Sequence, residues 1–127
     1  MILVDTSVWI DLLGGARTIP VEDIFHFATC GPVLQEILQG VTDTPSLAPL
    51  RNALLSLHRV SDPVALTTFL HAADIYHQGR RKGYTIRSST DCLIAAIAIE
   101  NSIPIWHRDR DFSLIARYTS LDVVGPR

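Results

Sequence analysis

Residues 87–112 read RSSTDCLIAAIAIENSIPIWHRDRDF, and this stretch decides the fold. Asp91-Cys92-Leu93-Ile94-Ala95-Ala96-Ile97-Ala98-Ile99 forms a helix that is apolar on nearly every side. Such a helix is buried inside a domain rather than laid on its surface. Arg87-Ser88-Ser89-Thr90 leads into it, with Ser89 and Thr90 as N-cap candidates. Ile103-Pro104-Ile105-Trp106 then reads as a short apolar strand, and residues 110–118 as a further helix. A buried helix followed by a buried strand is the building unit of an α/β domain with a parallel sheet.

The same alternation runs outward through the rest of the chain. Ile2-Leu3-Val4 reads as a buried strand. Asp5 or Thr6 can cap a helix over residues 7–13, which Gly14-Gly15 stops. Residues 21–30 carry aromatics and leave helix, strand or both open. Pro32 suits the first position of a helix ending at Gly40. Asp43-Thr44-Pro45 reads as a turn, and Leu47, Leu50, Leu54, Leu55 and Leu57 support a helix after it. A short strand over residues 58–61 follows. Asp62 then caps, and Pro63 opens, a helix reaching about Arg81 and closed by Gly83. Residues 121–124 make a final strand. The expectation is a single α/β domain over residues 1–127, with a central parallel sheet of four or five short strands flanked by helices.

Composition narrows the function. The chain has 127 residues, 47% hydrophobic and 19% charged, which is globular rather than disordered. Its 11 Lys and Arg against 13 Asp and Glu exclude a polybasic binder while allowing a local basic patch. No apolar run approaches the roughly 18 residues that span a bilayer, so no membrane contact is expected. The opening MILVDTSVW lacks the basic and long apolar regions of a signal peptide. Cys30 and Cys92 have no metal-ligand spacing. A small cytoplasmic protein is the expectation.

Several acids become interesting jointly. Asp5 directly follows the first strand, and Asp109 and Asp111 follow the strand ending in Trp106. In open α/β sheets ligands bind outside the carboxyl ends of strands, although Asp5 and Asp109 would also serve as helix caps. Asp91 starts the apolar helix, where better caps already stand beside it; a charge against so buried a segment needs a partner. On its helix the apolar stripe of Val33, Leu34, Ile37 and Leu38 turns Glu36 away, so periodicity alone calls it solvated. Carboxylates gathered at one sheet edge can hold Mg²⁺ or Mn²⁺, which prefer oxygen ligands and activate phosphodiesters toward hydrolysis.

The stretches ILVDTSVWIDLL, GPVLQEILQG and RSSTDCLIAAIAIENSIPIWHRDRDF, in that order, resemble PIN-domain proteins, and in size and motifs the VapC toxins of bacterial VapBC toxin–antitoxin modules. The resemblance covers nearly the whole chain, with residues 15–30 the least matched. It implies a Mg²⁺-dependent endoribonuclease, with Mn²⁺ able to substitute, and makes residues 1–127 a PIN domain. Its acids match Asp5, Glu36 (directly or through water) and Asp91; the fourth falls on Asp109, with Asp111 able to share the role. This match lifts Glu36 from surface to site. The resemblance further implies a homodimer, a VapB-type antitoxin that occludes the site, and higher toxin–antitoxin assemblies.

Neighbouring residues take supporting roles. Ser7 is close enough in sequence to orient Asp5 or a water, or is simply a first-turn serine. Seven of the 11 basic residues lie between Arg80 and Arg117, and of these Arg87 and Arg110 flank site acids. A planar guanidinium suits an RNA phosphate or an acid that needs orienting. Trp9 and Trp106 read as core packing. Two alternatives stand beside the ribonuclease: a receiver-like phosphoacceptor domain with an acidic Mg²⁺ pocket, and a PIN fold that binds RNA without cutting it. Against the receiver, the first strand ends without an acidic pair.

Overall fold

A computed structural model describes residues 1–124. Five strands form one fully parallel sheet: β1 (Ile2–Val4), β2 (Phe27–Thr29), β3 (His58–Arg59), β4 (Ile105–Trp106) and β5 (Val123–Val124). Six helices connect them: α1 (Thr6–Leu13), α2 (Gly31–Gln39), α3 (Thr44–Leu55), α4 (Leu66–Arg81), α5 (Ser89–Glu100) and α6 (Arg110–Ala116). The sheet order is β3-β2-β1-β4-β5, so β1 is central. The chain moves outward from β1 to β3, then returns across β1 to add β4 and β5. The order therefore reverses between β1 and β4, and the crevice beyond their carboxyl ends is where doubly wound sheets bind ligands.

Residues 21–30 resolve into both elements that the sequence left open. Val21–His26 is a 3₁₀ stretch, and Phe27–Thr29 is a fully buried strand. Gly31 and Pro32 open α2, and Gly40 ends it.

Several boundaries differ from expectation. β3, β4, β5 and α6 are shorter than the expected residues 58–61, 103–106, 121–124 and 110–118. Asp43 is the N-cap of α3, so Thr44 and Pro45 are its first turn rather than a separate turn. Leu57 lies beyond that helix, which ends at Leu55. Asp62 and Pro63 do not start α4, whose N-cap is Ala65. The Asp62 carboxylate is instead occupied by Arg59, whose Nε donates to Oδ2 at 3.1 Å.

The core explains why α5 is apolar all round. Ile94, Ala95, Ala96, Ile97 and Ala98 are fully buried, as are Leu3, Val4, Ala28 and Ile105 on the strands. α4 packs along α5. Trp9 meets Phe27 edge-on at 5.8 Å and Phe27 meets Trp106 at 5.7 Å, so both tryptophans pack as core aromatics. No helix among the described residues is long and apolar enough to cross a membrane.

Candidate metal centre

In a parallel sheet, a helix between two strands starts at the edge where the preceding strand ends. The N-termini of α1 and α6 therefore gather at the carboxyl ends of β1 and β4, and α5, which leads into β4, begins at the same edge. Each carries an acid there: Asp5 is the N-cap of α1, Asp91 lies in the first turn of α5, and Asp109 is the N-cap of α6. The positive ends of these helices favour the carboxylates. The Asp5 amide also donates to the Trp106 carbonyl at 2.9 Å, which ties the end of β1 to the end of β4.

The acids converge. Oxygens of Asp5, Glu36 and Asp91 lie within 4.8 Å of one another, and so do oxygens of Asp91, Asp109 and Asp111. Asp91 belongs to both groups and sits at the centre. Asp5, Asp91 and Asp111 are buried, whereas Glu36 and Asp109 are partly exposed. Glu36 thus faces the cluster rather than solvent, and Thr6 Oγ1 donates to its Oε1 at 3.4 Å. Two of the candidate site acids are also helix caps: Asp5 accepts from the Ser7 amide at 3.0 Å, and Asp109 from the Asp111 amide at 3.2 Å. The expected cap of α5 is displaced by one position. Ser88 rather than Ser89 or Thr90 accepts from the Asp91 amide, at 3.3 Å.

Charge is unbalanced inside this cluster. Burial, followed by repulsion from Asp109, Asp5, Asp111 and Glu36, pushes the Asp91 carboxyl up to about 9. Burial also raises Asp5, against the opposing hydrogen bonds from Ser7. Glu36 is raised by burial and then by Asp5. Asp91 Oδ2 finds no hydrogen-bond partner among the described residues. A buried carboxylate amid further carboxylates is stabilised by a proton or by a bound cation. The donor set is all oxygen, which fits Mg²⁺ or Mn²⁺ rather than a thiolate-seeking metal.

Ser7 does more than sit in a first turn. Its Oγ donates to Asp5 Oδ2 at 2.6 Å and accepts from the Arg108 amide at 3.0 Å. Arg87 and Arg110 are exposed beside the cluster. One feature escaped the sequence reading: Arg108 Nε pairs with Asp11 Oδ2 at 2.9 Å, and Arg17 stacks over Trp106 at 5.2 Å. Asp11 and Arg108 are too far apart in the chain for spacing to connect them; only the β1–β4 pairing does. His107 is buried against Phe112, with ring centroids 5.5 Å apart.

The fold and the sequence are shared with known proteins. The family model described as PIN domain matches residues 2–118. The chain is 41% identical over 138 aligned positions to VapC ribonuclease Mb1587 of Mycobacterium bovis and, equally, to ribonuclease VapC11 of Mycobacterium tuberculosis, with all of each chain covered. Its fold superposes on a chain from the crystal structure of VapBC2 from Rickettsia felis bound to a promoter DNA fragment, with a TM-score of 0.75, 17% identity and full coverage of both chains. This chain belongs to the PIN-domain family and, within it, to the VapC group.

Proposed function

We propose that the protein is the toxin of a type II toxin–antitoxin pair and a Mg²⁺- or Mn²⁺-dependent endoribonuclease. The observation that carries this reading is the convergence of Asp5, Glu36, Asp91 and Asp109 at the switch point, with Asp91 Oδ2 lacking any donor among the described residues. Relatives named as VapC ribonucleases, 41% identical along the whole chain, support the same reaction.

Asp5, Asp91 and Asp109 would hold the ion, with Glu36 completing the shell directly or through water. A bound ion supplies Lewis acidity, polarising the scissile phosphoryl group and making water acidic enough to attack at neutral pH. Ser7 fixes the Asp5 carboxylate through two hydrogen bonds. The Ser7 hydroxyl also accepts from the Arg108 amide, so in this reading its role is to hold the carboxylate. Arg87 and Arg110 offer guanidinium groups to the RNA backbone at the rim. Attack by water in line with the leaving 3′ oxygen leaves a 5′-phosphate and a 3′-hydroxyl.

The partner follows from charge and shape. An acidic pocket attracts an arginine or lysine, so a VapB-type antitoxin would silence it by inserting one among the acids. Beside the site runs a groove of about 610 Å³ lined by Ile10, Leu13, Glu36, Ile37 and Leu50, with Ile10 and Leu13 exposed. It suits the apolar face of an antitoxin helix. Exposed Leu66, Phe69 and Leu70 on α4 offer an apolar face to a second copy in a homodimer.

Cleavage of an end-labelled RNA in Mg²⁺ tests the chemistry. Products with 5′-phosphate and 3′-hydroxyl ends are expected. Cyclic 2′,3′-phosphate ends would show that the RNA's own 2′-hydroxyl attacks and would overturn the proposal. Binding without any cleavage would favour the non-cutting PIN fold.

A further inference from the structure

Asp111 lies in the cluster but is bonded differently from the other acids. Its side chain is 3% exposed, and one oxygen, Oδ2, accepts from two backbone amides: Arg87 at 3.0 Å and Ser88 at 3.1 Å. Those amides immediately precede α5. Ser88 is its N-cap, and the Ser88 hydroxyl in turn accepts from the Asp91 amide. The Asp111 amide donates to Asp109 Oδ1. A continuous set of hydrogen bonds thus runs from Asp109 through Asp111 to the turn that carries Asp91.

The other side of the same loop has a matching tie. The Arg108 amide donates to Ser7 Oγ, which donates to Asp5 Oδ2. Residues 108–111 are therefore fastened to the start of α1 through Ser7 and to the start of α5 through Asp111. The three acids at the centre stand on three separate elements, and this loop joins all three.

We propose that Asp111 is a positioning residue: through Oδ2 its carboxylate clasps the N-terminal turn of α5 and sets Asp91 against Asp109 and Asp5. The inference rests on the divalent-ion reading above. A charged oxygen already satisfied by two amides at a helix start is stable where it is. Turning that oxygen away would strand two amide donors at a partly buried helix start, and such donors are seldom left unpaired. Asp109 receives one amide, on Oδ1, and Asp91 Oδ2 receives none among the described residues, so neither of those acids holds the start of α5 as Asp111 does.

The test compares Asp111→Asn, Asp111→Ala and Asp109→Asn, measuring Mn²⁺ affinity from the signal of free Mn²⁺ and hydrogen exchange at the Arg87 and Ser88 amides. An asparagine carbonyl can accept both amides, so Asp111→Asn should keep the amides protected and bind Mn²⁺ more tightly than Asp111→Ala. Asp111→Ala should weaken Mn²⁺ by about 10–100-fold and expose the amides. Asp109→Asn should weaken Mn²⁺ while leaving both amides protected. Amides exposed in Asp111→Asn, or protected in Asp111→Ala, would overturn the proposal, and the first outcome decides even if the alanine variant fails to fold. Absence of Mn²⁺ binding by the wild type would instead overturn the divalent-ion reading; the amide exchange alone would then decide whether Asp111 clasps α5.

Discussion

Replacing Asp91 by asparagine should stabilise the ion-free protein, and by an amount that grows with pH. In the unfolded chain this carboxyl ionises near 3.8, whereas in the fold it holds its proton up to about 9. Between those values the native state binds more protons than the unfolded state, so stability falls as pH rises. Asparagine does not titrate and escapes that loss. Each unit between the ordinary pKa and the working pH costs about 1.4 kcal/mol, which sets an upper limit of about 4 kcal/mol at neutral pH. Because Asp5 and Glu36 are also raised and share the repulsion, a gain of about 2–4 kcal/mol is expected at neutral pH. Urea unfolding in EDTA, at fixed protein concentration and at about pH 5 and about pH 8, measures it. The advantage of Asp91→Asn over wild type should be clearly larger at the higher pH. Adding Mn²⁺ should then stabilise wild type far more than the variant, because only the intact site gains from binding. An advantage that is absent, or the same at both pH values, would refute the account of an unbalanced cluster.

Asp5→Asn and Asp109→Asn should each lower RNA cleavage by at least about a hundredfold while leaving the circular dichroism unchanged, since on the proposed reading each removes an ion ligand rather than a core group. Ser7→Ala removes the hydroxyl that links Asp5 to the Arg108 amide; a loss of about 10–100-fold in Mn²⁺ affinity is expected by titration, with the fold retained. Gly79→Ala would place a Cβ 2.6 Å from the Tyr118 hydroxyl, which donates to the Ile75 carbonyl at 2.8 Å. Despite the better helix propensity of alanine, displacement of Tyr118 should cost about 1–3 kcal/mol in a denaturant titration.

The sheet and the buried helix were legible because their signal is local. A run such as Ile94 to Ala98, apolar at every position, has no surface orientation available to it, and the structure buries all five. Asp5 and Asp109 were legible as well, because a strand end followed by a helix start is written in adjacent residues. Glu36 was not legible from periodicity. The apolar stripe of α2 orients it correctly relative to its own helix, but what it faces, Asp5 and Asp91, comes from β1 and α5. Only the resemblance to a family placed it. The start of α4 failed for a similar reason: Asp62 has the right chemistry for a cap, but Arg59 takes its carboxylate. Asp111 is the same lesson in the site itself, since its amide partners, Arg87 and Ser88, lie more than twenty residues away.

The most direct test of the central claim is RNA cleavage by purified, antitoxin-free protein as a function of free Mn²⁺, before and after exhaustive chelation. Cleavage should vanish in EDTA, return saturably as Mn²⁺ is restored, and stay absent at every Mn²⁺ concentration in Asp91→Asn. Undiminished cleavage by the chelated wild type, or wild-type cleavage by Asp91→Asn, would contradict it.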